Sequence, residues 1–209
     1  MQIEPEDGVG RPLRLGVLGG TFDPPHVGHL VIAGQVAGAL DLDRVVFVVA
    51  GEPWQKADFS SAEDRLLMTA LAAELHPKFA VSRIEIDRLG PTYTVDTLTA
   101  LHDFYGAGLE LFFILGADAL KLLPTWHRTE SLPDLARFVA VCRPGVEFVV
   151  PDGTPEVARV ESPALDISST GIRELVRTGR PIDFLVPEAV RGYIAEHGLY
   201  QGTREQAHA

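Results

Sequence analysis

Five short runs of β-branched and aromatic residues, separated by stretches with helical spacing, constrain this chain more than any other feature. They are LRLGVL (13–18), RVVFVVA (44–50), FAVSRIEID (79–87), LELFFIL (109–115) and RFVAVC (137–142). Amphipathic segments at Val27–Leu40, Ala62–Leu75 and Thr94–Phe104 lie between the first four. Parallel neighbours need such crossovers, so the alternation predicts βαβ units and a parallel sheet. Near-continuous apolar strands suit a sheet covered on both faces. The expected fold is therefore α/β, doubly wound, with helices on both faces. Ser60, followed three residues later by Glu63, predicts a capping-box start for the second helix.

After Arg143 the texture changes to turns and short β pieces at the far edge of the sheet. Helices at Ser169–Arg177 and Pro187–His197 then form a small C-terminal helical portion. Residues 13–200 read as a single domain, with 1–12 and 201–209 as tails.

The net charge of −11 and the presence of only three lysines, Lys56, Lys78 and Lys121, argue against a grip on a nucleic-acid backbone. No apolar run approaches the ~20 residues of a membrane span, and the acidic N-terminus lacks a signal-peptide pattern. A cytoplasmic location is expected, and oligomeric state is left open. The single Cys142 excludes an internal disulfide and sits in an apolar strand, where it reads as a small hydrophobe.

In a doubly wound, Rossmann-like fold, ligands bind beyond the carboxyl ends of the strands, where helix N-termini converge. The first strand runs there into GGTFDPPHVGH (19–29). Gly19 and Gly20 allow close backbone approach, and the helix near Val27 offers free N–H groups and a positive dipole end. No G-x-G-x-x-G and no Gly-Lys dipeptide occur, so the work of those phosphate loops falls to His26 and His29, three apart on one helix face. A zinc pair would need a third ligand, and no partner cluster is visible. Two structural histidines explain neither the glycines nor Asp23. A second anion-binding helix start is offered by DISSTGIREL (166–175), where Ser168, Ser169 and Thr170 precede Arg173 by about one turn.

GTFDPPHVGH resembles the H-x-G-H signature of the nucleotidyltransferase superfamily, and ISSTGIR resembles the I-S-S-T-x-I-R element that accompanies it. With GPTYTVDTL (90–98), GADAL (116–120) and TWHR (125–128), the chain from about Leu13 to Tyr200 is similar to bacterial nicotinate-nucleotide adenylyltransferases. The resemblance implies transfer of AMP from ATP to nicotinate mononucleotide, giving nicotinic acid adenine dinucleotide and pyrophosphate. It implies catalytic roles for His26, His29, Lys56 and Arg173. ATP contacts would come from Gly19, Gly20, Thr21, Phe22, Asp23, Gly28, Asp118, Ile167, Ser168, Ser169 and Thr170. Tyr93, Thr94, Gly116 and Trp126 would meet nicotinate mononucleotide.

Mg²⁺ would be held by ATP and water, without a protein metal cage. Many relatives carry a Pro…His-Lys pattern after the second strand, whereas this chain reads GEPWQKAD, in which Trp54 is a lid residue or a surface one. Alternative readings are another phosphate-acceptor nucleotidyltransferase, such as a pantetheine-phosphate adenylyltransferase or a cytidylyltransferase, or a silent nucleotide sensor.

Overall fold

The computed structural model describes residues 11–51, 59–142, 145 and 148–201. Most of both expected tails, and the segment 52–58 with Trp54 and Lys56, lie outside the described residues. Six strands, β1 (Leu13–Gly20), β2 (Arg44–Val49), β3 (Phe79–Ser82), β4 (Leu109–Gly116), β5 (Arg137–Cys142) and β6 (Val157–Glu161), form one sheet. Its order is β3-β2-β1-β4-β5-β6 and every pairing is parallel. The chain winds outward from β1 in one direction and then from β4 in the other, so a crevice opens where these two adjacent strands end.

Period-two alternation places consecutive residues on opposite faces. Leu15, Val17, Phe113 and Phe138 point to one side, packed with Val95, Leu98 and Leu101 of α3 (Thr94–Tyr105). The same layer holds Leu120 of α4 (Ala117–Leu122) and Leu132 of α5 (Leu132–Leu135). Val45, Phe47, Phe112 and Ile114 point to the other side, against Ala33, Val36 and Ala37 of α1 (Val27–Ala39) and Ala73 of α2 (Ala62–Ala73). Alanines on α1 let that helix lie close to the sheet. A third cluster joins Met68 and Ala72 of α2 to Ile172 of α6 (Ser169–Arg177) and to Val190 and Ile194 of α7 (Glu188–Glu196). The C-terminal helices are thereby fastened to the outside of α2.

Two expectations need correction. The third strand stops at Ser82 and does not reach residue 87. Ser82 Oγ accepts from Ile84 N–H, and the Arg83 carbonyl accepts from Asp87 N–H while the two side chains pair. Ile84 and Ile86 are still both drawn into apolar layers, one on each side, so the sequence keeps a strand-like apolar–polar alternation through a turn. The cap of α2 is Ser61, not Ser60, with Ser61 Oγ accepting from Asp64 N–H at 3.1 Å. The sequence left the β4–β5 connection unassigned; it is made by α4, α5 and two short 3-10 turns, elements too brief to show a period.

Candidate active site

At the carboxyl end of β1 the chain makes a tight descent into α1. Phe22 has φ 52°, a left-handed conformation unusual for a bulky residue, and its ring is buried. A Cβ on Gly20 would stand 2.9 Å from that ring, so glycine is required there. Gly19 has no such constraint; a Cβ would meet only Phe113, at 3.9 Å. His26 is the N-cap of α1 in extended conformation, and the Leu185 carbonyl satisfies the Val27 amide at 3.0 Å.

The two histidines form one unit. Their rings stack with centroids 3.7 Å apart, and His29 meets the edge of Phe22 at 5.0 Å. The His26 backbone N–H donates to His29 Nδ1 at 3.1 Å, which leaves the His29 proton on Nε2. Gly28 makes the stack feasible, because a Cβ there would lie 3.0 Å from the His26 ring. Burial lowers His26 to about 4, and burial together with neighbouring His26 lowers His29 to about 3. In the free protein both are neutral at pH 7 and can serve a ligand as N–H donors rather than as resident cations. His26 Nδ1 is buried and lacks a hydrogen-bond partner among the described residues.

The tip of α6 is stitched to this loop across the fold. Ser168 caps the helix by accepting from Gly171 N–H, and Ser169 Oγ donates to the Pro24 carbonyl at 2.8 Å. Arg173 Nη1 donates to the Asp23 carbonyl at 2.7 Å, and Nη2 to Thr170 Oγ1 at 3.3 Å. The Asp23 carboxylate is buried and accepts from Tyr200 Oη at 2.6 Å and from Ser60 N–H at 3.3 Å. Ser60 thus serves the site instead of capping α2. Beneath lies Arg65, also buried, whose guanidinium donates to the carbonyls of Ser60, Thr21, Ala50 and Gly51.

One cleft of about 1060 Å³ gathers these groups with a second set from the opposite face of the sheet. From the β1 loop it is lined by Gly20, Thr21, Phe22, Asp23 and His29, and from α6 by Ser168, Ser169, Thr170 and Arg173. The opposing set includes Pro91, Thr92, Tyr93 and Thr94 at the start of α3, with Leu122, Thr125, Trp126 and His127. Tyr93 stacks on His127 at 4.3 Å, and Trp126 stands edge-on to Phe113 at 5.7 Å. Arg88 and Glu85 brace this corner: Thr97 Oγ1 donates to Glu85 at 2.8 Å and Arg88 Nη2 to the Asp96 carbonyl at 3.1 Å. Burial pushes the Glu85 carboxyl upward.

Of the residues singled out in the sequence, Gly19, His26, Gly28, Gly116, Asp118 and Ile167 do not line the cleft. His26 is stacked behind His29, while Ile167 packs with the third apolar cluster. Asp118 is fully exposed and pairs with Lys121 at 3.4 Å. Lys56 falls outside the described residues. Sequence reasoning missed Arg65, Tyr200 and His127. Only Arg65 carried a signal, an arginine on the same helical face as Met68, Thr69 and Ala72, all of which are buried.

A β3-β2-β1-β4-β5-β6 parallel sheet whose central crevice holds a histidine-bearing and an arginine-bearing helix tip defines a nucleotidyltransferase-type protein, and the cytidylyltransferase-like family model matches residues 17–175. The chain belongs, more narrowly, to the nicotinate-nucleotide adenylyltransferase family. It is 52% identical over 203 residues, covering 93% of this chain and 98% of the relative, to the Acidothermus cellulolyticus protein named probable nicotinate-nucleotide adenylyltransferase. The Saccharopolyspora erythraea protein of the same name is 50% identical over 204 residues, or 95% of each chain. Among solved structures, Plasmodium falciparum nicotinic acid mononucleotide adenylyltransferase complexed with NaAD superposes with a TM-score of 0.76 over 90% of this chain and 97% of that one. At 19% identity that likeness speaks for the fold.

Proposed function

We infer that this chain transfers the AMP moiety of MgATP to nicotinate mononucleotide, releasing pyrophosphate and forming nicotinic acid adenine dinucleotide, a step of NAD biosynthesis. The single observation that carries the reading is the shared cleft, with His29 and Arg173 from one face of the sheet and Tyr93 and Trp126 from the other. Family membership supplies the acceptor. We also place this chemistry in the cytoplasm.

An oxygen of the nucleotide's phosphate attacks the α-phosphorus of ATP; a new P–O bond forms as the bond to the β-phosphate oxygen breaks, and its electrons leave with pyrophosphate. The attacking oxygen is already anionic, so no general base is needed, and catalysis consists of alignment and charge stabilisation. His29 Nε2–H would donate to the α-phosphate, and His26 holds that ring in place. Arg173 and the hydroxyls of Ser168 and Thr170 would hold the departing phosphates. The incoming phosphate charge favours protonated imidazole, so bound substrate would raise both histidines from their low resting values. Mg²⁺ would enter with ATP, carried by phosphate oxygens and water.

At the other set, N–H groups opening α3 around Tyr93 and Thr94 suit a carboxylate, and the indole of Trp126 offers a flat apolar surface to a pyridine ring. The test is a panel of phosphorylated acceptors incubated with MgATP and scored by mass. Adenylylation of nicotinate mononucleotide in preference to its amide and to phosphopantetheine is expected; preferred adenylylation of either competitor overturns the reading.

A further inference from the structure

Tyr200 lies beyond α7, 177 residues from Asp23 in sequence, yet its hydroxyl donates to Asp23 Oδ1 at 2.6 Å. Its neighbour there is Met68, whose Sδ is 3.8 Å from the same hydroxyl. The carboxylate it holds is a buried anion between two guanidiniums. Arg65 lies below, its charge disfavoured by burial and partly restored by Asp23, and Arg173 lies on the cleft side with Nη1 3.9 Å from Oδ2. That separation is within ion-pair range but beyond a hydrogen bond. What Arg173 does hydrogen-bond is the backbone carbonyl of Asp23, at 2.7 Å, and the Thr170 hydroxyl. Both contacts are to neutral oxygens and leave the guanidinium charge open to the cleft that it lines.

We propose that Tyr200 is a positioning residue for the phosphate end of the site: by holding Asp23 Oδ1, it keeps the carboxylate from closing on Arg173 and so keeps that guanidinium available to the triphosphate. The hydroxyl is suited to this. Burial and the Asp23 carboxylate both push its pKa upward, so it stays a donor at any pH the protein tolerates. Without it, Asp23 Oδ1 loses this donor, and the guanidinium that faces the carboxylate from the cleft side is Arg173, 3.9 Å from Oδ2. A guanidinium paired with carboxylate through charge-assisted bonds is a poorer ligand for phosphate. Tyr200 is thus part of the active site's construction, although it does not itself line the cleft.

The proposal rests on the phosphate reading of the Arg173 end, and the experiment separates the two. Tyr200→Phe keeps the ring against Met68 and removes only the hydroxyl. With folding verified by circular dichroism, kcat/KM for MgATP is expected to fall about tenfold, as for loss of one hydrogen bond to a charged group, with KM for nicotinate mononucleotide within about twofold of wild type. In an Arg173→Ala background the same substitution is expected to change kcat/KM by less than about twofold, because the group it acts through is gone. Equal losses in both backgrounds, or parallel losses for both substrates, mark a merely structural tyrosine and overturn the proposal.

If Tyr200→Phe alone does not fold, it is made in an Asp23→Asn parent, where no anion is left to capture Arg173. KM for ATP must then stay within about twofold of that parent, and a further tenfold rise overturns the proposal. A wild-type chain that releases no pyrophosphate overturns the transfer reading and this proposal together. Wild-type turnover with Tyr200→Phe unaffected overturns the proposal alone.

Discussion

Arg65 Nη1 donates to the carbonyl oxygen of Ala50 at 2.7 Å, inside the protein, where only 2% of the arginine is exposed. The same nitrogen reaches the Thr21 carbonyl at 3.1 Å, and Nη2 the Gly51 carbonyl at 3.0 Å. One guanidinium therefore ties the loop after β1 to the end of β2. Its charge lies in the field of Asp23, which offsets part of the cost of burying it. Arg65→Met is expected to remove several hydrogen bonds and leave Asp23 short of a counter-charge. Leaving a buried charge uncompensated costs about 3–5 kcal/mol. Thermal melts should show a drop of roughly 6 °C or more for a chain of this size. An unchanged melting temperature would refute the clamp.

Gly28→Ala tests the histidine stack from the backbone side. An added Cβ would lie 3.0 Å from both Cε1 and Nδ1 of His26, so the ring must shift, and His29 is stacked on that ring. Alanine is a better helix former than glycine by about 1 kcal/mol, which offsets the steric cost in the stability ledger. Displacement of a catalytic group by a fraction of an ångström is not offset in that way, and kcat is expected to fall about tenfold or more. The variant should therefore melt near wild type while turning over slowly. Wild-type kcat would mean that the ring position is unimportant.

This glycine illustrates what the sequence could and could not say. The spacing of His26, Gly28 and His29 was legible because a helix start fixes which residues share a face. The β-branched runs likewise placed five of the strands, since a strand buried on both faces has few other compositions. What stayed hidden was tertiary. Nothing near Tyr200 marks it as a partner of Asp23, and the stacking of Tyr93 on His127 depends on α3 and the turn after α4 arriving at one place. Asp118 sits at a strand's carboxyl end, a position that suggests a ligand contact, and there its exposed side chain pairs with Lys121 outside the lining of the cleft. The third strand was overextended because Ile84 and Ile86, two apart, are both drawn into apolar layers from within a turn.

His29→Ala separates transition-state from ground-state binding. The ring lines the cleft with Nε2–H as its free donor, a group of use where charge develops on the α-phosphate. The expected loss in kcat is about a hundredfold or more, as for removal of one oxyanion donor, against a change of a few-fold in ATP affinity measured by calorimetry. Equal losses in the two would assign His29 to binding alone.

Tyr93→Ala probes the other set of cleft residues. Tyr93 is the N-cap of α3 and stacks on His127, while Arg173 and His29 belong to different elements. Loss of an aromatic contact of this kind is worth about 0.5–1.5 kcal/mol, or roughly two- to tenfold in KM for nicotinate mononucleotide. KM for ATP should hold. A matching rise in both would show that the two sets do not act on separate substrates.

The buried histidines also set how the fold responds to acid. In the unfolded chain both take up protons near pH 6.5, whereas in the folded protein burial holds His26 to about 4 and His29 to about 3. Between those values the unfolded state binds more protons, so stability falls as pH falls. The contribution of each neutral ring is whole above pH 6.5 and is lost as the pH drops toward the folded values. The loss is on the order of 1 kcal/mol per pH unit for each histidine. Urea denaturation at pH 7.5 and pH 5 should show a large fall in the wild-type midpoint. His29→Ala lacks one of the two groups and, with its ring gone, relieves part of the burial of the other, so its midpoint should fall less across the same interval. MgATP should flatten the wild-type curve, because phosphate favours the protonated rings that acid would otherwise form only by unfolding the chain. Wild type and His29→Ala losing stability in parallel between the two pH values would remove the histidine pair as the acid-sensitive element.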